Sequence, residues 1–84
     1  MSYRILPTKE FAKDFARLAP SAQEQVRAKL AEAAQNPARY KKLHYALKGS
    51  SRVRVGKLRI IFSYDVGKGE MYLEKIVFGH EYER

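Results

Sequence analysis

The chain has 84 residues, 45% of them hydrophobic and 31% charged, and its 17 Lys and Arg against 9 Asp and Glu give a formal charge of +8. A chain this short buries only about 60–65% of its unfolded surface, so its large apolar side chains serve one core, residues 1–84 read as a single domain, and little apolar surface remains for a deep pocket. The absence of cysteine removes disulfides and thiolate chemistry; with no apolar run near membrane-spanning length and no signal-peptide core after Met1-Ser2-Tyr3-Arg4, we expect a cytoplasmic protein without a membrane partner.

Residues 2–6, Ser-Tyr-Arg-Ile-Leu, predict a first strand that Pro7 closes, with Thr8 placed to cap a helix. From Lys9 to about Ala19, Phe11, Phe15 and Leu18 recur at i, i+4 and i+7 and define one buried helical stripe. Pro20 breaks that helix, and Ser21-Ala22-Gln23-Glu24 carries the capping-box pattern that starts another. Val26, Leu30 and Ala33 line the second helix and Asn36-Pro37 ends it, so two short helices make an antiparallel hairpin. Residues 38–51 have no clean period and read as a connecting loop that Leu43 and Leu47 anchor. Arg52-Val53-Arg54-Val55, Gly56-Lys57 and residues 58–64 then give strand, two-residue turn, strand. Val66-Gly67-Lys68-Gly69 makes a second turn, residues 71–78 a last strand, and Gly79 releases the tail His80-Glu81-Tyr82-Glu83-Arg84. The order β-α-α-β-β-β predicts an α+β domain, in which an N-terminal strand and a three-stranded antiparallel meander form one mostly antiparallel sheet and the helical hairpin covers one face.

A pI near 9.9 predicts attraction to a polyanion, whether nucleic acid, anionic membrane or acidic protein. Residues 1–48 hold ten Lys and Arg against four Asp and Glu, residues 49–84 seven against five, so the second half acts through placement. Counting outward from Gly56-Lys57, Val55 pairs with Leu58, Arg54 with Arg59 and Val53 with Ile60. Val53, Val55, Leu58, Ile60 and Phe62 then face the helices, and Arg52, Arg54 and Arg59 share the other face. Like charges directly opposite each other cost about 0.2–1 kcal/mol per pair, which the fold does not need. A bound anion turns that repulsion into attraction, and the forked guanidinium suits several oxygens of one phosphate. Arginines also keep an outer sheet face soluble. Three around one turn, with no acidic residue in either strand before Asp65, favour an anion site.

Of the two histidines, His44 lies in the connecting loop and His80 follows the last strand. His80 is a surface residue or a proton-transfer group near neutrality. Tyr82 can stack on a base or donate to a leaving oxygen, whereas Tyr64 and Tyr72 read as sheet residues and Tyr40 and Tyr45 as loop anchors. Arg39, Lys41, Lys42 and Lys48, with Lys57 in the turn, are a solvated surface or a set of RNA backbone contacts. The scattered acidic residues do not converge as a metal site would require.

Leu47-Lys48-Gly49, the run from Arg52 to Phe62, and Ile76-Val77-Phe78-Gly79-His80 resemble the RelE/ParE superfamily of toxin–antitoxin toxins, more closely its RelE branch. The likeness spans nearly the whole chain, including an N-terminal strand and hairpin with Phe11, Lys13, Asp14 and Leu18. It implies, for the RelE branch, cleavage of messenger RNA on the ribosome without a metal or other cofactor; ParE-like members instead inhibit DNA gyrase. It also implies that Arg52, Arg54 and Arg59 surround the scissile phosphate and that the tail assists through His80 and Tyr82. Glu81 stands where the family often has a cation, so a catalytically weakened toxin that acts only by binding is a further expectation. Implied partners are the ribosome, its mRNA and a cognate acidic antitoxin that covers the basic face in a hetero-oligomer.

Overall fold

The computed structural model describes residues 2–40 and 50–78. Their elements are β1 (Arg4–Pro7), α1 (Lys9–Ala16), α2 (Pro20–Ala33), one 3₁₀ turn (Pro37–Arg39), β2 (Ser51–Val55), β3 (Leu58–Asp65) and β4 (Glu70–Phe78). The strands form one sheet in the order β1-β4-β3-β2. β2–β3 and β3–β4 are antiparallel, and β1 runs parallel to β4. The expected α+β order and mostly antiparallel sheet are therefore present. The parallel pairing of β1 makes the sheet mixed.

Helix ends differ from the sequence expectation in two places. The first helix stops at Ala16 rather than near Ala19, and the second is capped by Ala19 without any side-chain hydrogen bond, not by the Ser21–Glu24 box. Pro20 causes the second difference. A proline drives the preceding residue out of helical geometry, and Ala19 accordingly has ψ 153°. Proline itself is preset for the first helical position, so Ser21 falls inside the first turn. Gln23 donates from Nε2 to the Phe15 carbonyl at 2.9 Å and closes the end of α1.

Thr8 caps α1 as expected, its hydroxyl oxygen accepting from the Phe11 N–H at 3.2 Å. The same hydroxyl faces the carbonyls of Leu73 (2.8 Å) and Glu74 (3.0 Å) on β4. Past the end of β1, Asp14 Oδ2 accepts from the Ile76 N–H at 3.1 Å, so α1 takes over a β4 donor that β1 is too short to reach. The core lies between helices and sheet: Phe11, Val26, Leu30 and Ala33 meet Val53, Ile60, Phe62, Met71, Leu73 and Ile76, all buried. Phe62 is fully enclosed, a burial worth about 1.5–3 kcal/mol.

Along β4 the inward positions are Met71 and Leu73, then Ile76. The step of three reflects a register shift: Phe62 pairs with Leu73 but Ile61 pairs with Lys75, leaving Glu74 as the extra residue of a β-bulge. Without it, either Leu73 or Ile76 would leave the core. Between β1, α1 and α2 runs an apolar groove of about 320 Å³, lined by Ile5, Phe11, Phe15, Leu30 and Leu73 and edged by Arg27, whose guanidinium lies 5.1 Å from the Phe15 ring centre.

Candidate nucleic-acid interface

β2 and β3 are joined by Gly56-Lys57. Gly56 has φ +60°, and no non-glycine residue among those described has a positive φ; that combination matches a type II′ turn, whose twist suits a hairpin. The turn sets the register. Val55 pairs with Leu58, Arg54 with Arg59, Val53 with Ile60 and Arg52 with Ile61. Burial alternates accordingly: Val53 and Val55 are buried while Arg54 is exposed and Arg52 and Arg59 are half-buried. Three guanidinium groups thus occupy the sheet face away from the helices. Arg54 and Arg59 lie directly opposite one another, which sets their β-carbons about 4.5–5.5 Å apart.

The other expected contacts separate into three groups. Lys57 is exposed at the turn beside the arginines. Arg39 lies elsewhere, its guanidinium 5.7 Å from the Tyr40 ring, which packs edge-on against Phe62 on the core side. Lys41, Lys42, Lys48, His44, Tyr45, His80 and Tyr82, together with Leu43, Leu47 and Glu81, fall outside the described residues. Tyr64 is a sheet residue, meeting Tyr3 edge-on at 6.0 Å.

Two residues of the face escaped the sequence analysis. Lys75 pairs with Ile61, which pairs with Arg52, so Arg52, Ile61 and Lys75 form one row across β2, β3 and β4. Lys75 is exposed. Its neighbour Glu74, at the bulge, accepts a hydrogen bond from the Ser50 hydroxyl at 3.3 Å. Ser50 immediately precedes β2, so that contact spans β3. Since Ser51 faces inward opposite Phe62, alternation turns Ser50 to the arginine face. Ile61 belongs to this outer face yet is only 6% exposed, flanked in register by Arg52 and Lys75. The signal for both residues was the three-residue step between Leu73 and Ile76, which breaks the period of two.

The far end of the same face has different electrostatics. Glu70 Oε2 pairs with Arg4 Nη2 at 2.5 Å, and Glu70 Oε1 accepts from the Tyr72 hydroxyl at 2.5 Å. The Tyr72 hydrogen bond, followed by that from Arg4, holds the Glu70 carboxyl below its ordinary value. In return, the bond to Glu70, reinforced by desolvation, pushes the Tyr72 phenol up from 10.0 to about 12.

Among the described residues, no three His, Asp or Glu side chains gather as metal ligands, and no helix is long and apolar enough to cross a membrane.

Comparison with known proteins bears on the family and the fold. Residues 5–76 match the family described as the ParE toxin of the type II toxin–antitoxin system parDE. No curated protein matches the sequence. Among solved structures, a chain of the RelBE2 toxin–antitoxin complex from Mycobacterium tuberculosis superposes with a TM-score of 0.85 at 20% identity, covering 93% of this chain and 92% of that one. A chain of the intact E. coli RelBE complex gives 0.79 at 17% identity, covering 89% and 94%. The archaeal RelE–RelB complex from Pyrococcus horikoshii gives 0.75 at 19% identity, covering 94% and 97%. At these identities the structural matches speak for the fold.

Proposed function

From the premise that this chain belongs to the ParE toxin family of type II toxin–antitoxin systems, within the RelE/ParE superfamily, we propose that it arrests translation by cutting messenger RNA on the ribosome. The observation that carries this reading is the Arg54–Arg59 pair, set directly opposite across the hairpin, with Arg52 in the adjoining row. Cleavage by the RNA's own 2′-hydroxyl builds negative charge on a five-coordinate phosphorus. Fixed cations aimed at that charge lower the barrier because they need no reorganisation as it develops. Arg54 and Arg59 stabilise the phosphorane, Arg52 orients the phosphate, and His80 or Tyr82 protonates the departing 5′-oxygen. The arginines stand on the sheet face away from the helices, with Arg54 exposed and Arg52 and Arg59 half-buried, and the ribosome supplies the orientation of substrate. Exposed Lys57 and the basic residues Lys41, Lys42 and Lys48 add sequence-independent contacts to the RNA backbone; Arg39, which lies over Tyr40 away from the arginine face, is not among them.

A net charge of +8 calls for a partner of opposite sign, and the similar chains from M. tuberculosis and P. horikoshii come from toxin–antitoxin complexes. An acidic cognate antitoxin covering the arginine face fits both.

A second reading is inhibition of DNA gyrase, with the arginine hairpin contacting protein; the matched family's ParE description favours it. A coupled translation reaction with mapping of mRNA ends, run beside a gyrase supercoiling assay, separates the two. Codon-periodic cuts that disappear in Arg59→Ala establish the nuclease. Intact messages with blocked supercoiling establish the gyrase inhibitor, and neither effect leaves a toxin that acts by binding alone.

A further inference from the structure

Metal-free cleavage needs an acceptor for the 2′-hydroxyl proton, and arginine is a poor base at neutral pH. Three observations place a carboxylate on the arginine face, next to the row of Arg52, Ile61 and Lys75. The β4 bulge inserts Glu74 between Leu73 and Lys75 opposite the Ile61–Phe62 step of β3, and bulges re-aim side chains in this manner beside active sites. The Ser50 hydroxyl donates to Glu74 Oε1, which draws the carboxylate across β3 on the arginine face. Glu74 is half-buried, and its backbone carbonyl is held by Thr8, so the side chain departs from an anchored point.

We propose that Glu74 is the general base of the cleavage reaction, an inference that rests on the nuclease reading above. A Glu74 carboxylate oxygen takes the 2′-hydroxyl proton as O2′ bonds to the adjacent phosphorus. The P–O5′ bond then breaks, leaving a 2′,3′-cyclic phosphate on one fragment and an O5′ alkoxide on the other. Water or the tail donor protonates that alkoxide, and the base so formed removes the proton from Glu74, which closes the cycle. Among the described residues, the charged and titratable groups sharing the face near Glu74 are Arg52 from β2, Arg59 from β3, and Lys75 and Tyr72 from β4; Arg4 of β1 is engaged by Glu70. Ser50 orients the carboxylate and is a positioning residue.

The test is single-turnover cleavage of a synthetic messenger on purified ribosomes, with toxin concentration varied, for wild type, Glu74→Gln, Glu74→Asp, Glu74→Ala and Arg59→Ala. Glu74→Gln should slow the maximal rate by about 10²-fold or more while the half-saturating toxin concentration stays the same. Glu74→Asp should recover at least about tenfold of that loss, and added formate should accelerate Glu74→Ala but not wild type. Melting temperatures of all variants separate chemistry from folding. The inference is overturned if Glu74→Gln cleaves like wild type, or if Gln and Asp lose activity equally and formate rescues nothing. A wild-type protein that leaves messages intact, or an Arg59→Ala variant as active as wild type, overturns the nuclease reading itself and the base assignment with it.

Discussion

The outer face of the sheet has two ends built on opposite electrostatic plans. At one end, Arg4, Glu70 and Tyr72 satisfy one another, the carboxylate accepting from both neighbours. At the other, Arg54 faces Arg59 across the hairpin with Arg52 in the next row, and Lys75 extends the positive charge onto β4. Each end adjoins a turn that needs a glycine at positive φ, Gly69 at φ +64° just before Glu70 and Gly56 at φ +60° between Arg54 and Arg59. Similar backbone chemistry thus presents a carboxylate-centred cluster in one place and like-charged residues in register in the other. The first contributes modestly to the fold, as exposed ion pairs do. The second sets like charges directly opposite each other across a strand pair, an arrangement that a bound anion would favour.

The widest separation between the two ends should come from charge deletion. Arg54→Ala or Arg59→Ala is expected to reduce mRNA cleavage by about 10²–10³-fold, while in Arg54→Ala, at the exposed member of the pair, thermal stability holds or rises by about 0.2–1 kcal/mol as the like-charge pair is relieved. Arg4→Ala should leave cleavage unchanged, and an equal loss there would erase the distinction between the ends.

Next come the glycines. A Cβ at Gly56 or Gly69 meets no atom within 4 Å, so the cost of Gly→Ala is backbone strain alone, about 1–2 kcal/mol at each site in denaturant melts. Only Gly56→Ala should also weaken cleavage, because only that turn sets the register of the arginines.

A smaller effect concerns Lys75. Its replacement by Ala should flatten the dependence of log affinity on log salt for a single-stranded RNA oligonucleotide by about 0.7, the value of one lost phosphate contact. Lys68→Ala, in the turn at the neutralised end, should leave that slope intact.

The least effect is on stability against pH. Tyr72 binds its proton more tightly when folded, so its contribution is complete below pH 10.0 and fades as pH rises toward 12. Glu70 shifts the other way, its contribution present above its ordinary value of 4.5 and lost as pH falls through the lower folded value. Tyr72→Phe should shallow the alkaline loss in denaturant melts from pH 9 to 12, on the order of a pH unit around the ordinary tyrosine range, and an unchanged profile would remove Tyr72 from the cluster.

Much of the arginine face was legible from the chain because a two-residue loop fixes pairing by counting, and strand side chains alternate with period two. The register Arg54–Arg59 followed from Gly56-Lys57 alone. Local chemistry misled at Ser21–Glu24, where Pro20 competed for the helix start and prevailed by presetting its own φ and extending Ala19. Lys75 and Glu74 were missed because a uniform strand was assumed for residues 71–78, although the spacing of Leu73 and Ile76 already broke the alternation.

By itself, the sequence determined the elements, the hairpin register and the sharing of one face by three arginines, since these depend on periodicity and turn geometry over a few neighbouring residues. The tertiary structure decided which strand lies beside which. β1 pairs in parallel with β4, across almost the whole chain, and bulge, helix and edge strand together bring Thr8, Asp14 and Ser50 to β4. Such contacts join residues more than twenty positions apart, and their selection depends on how the assembled core excludes water and satisfies its backbone, which no local pattern encodes.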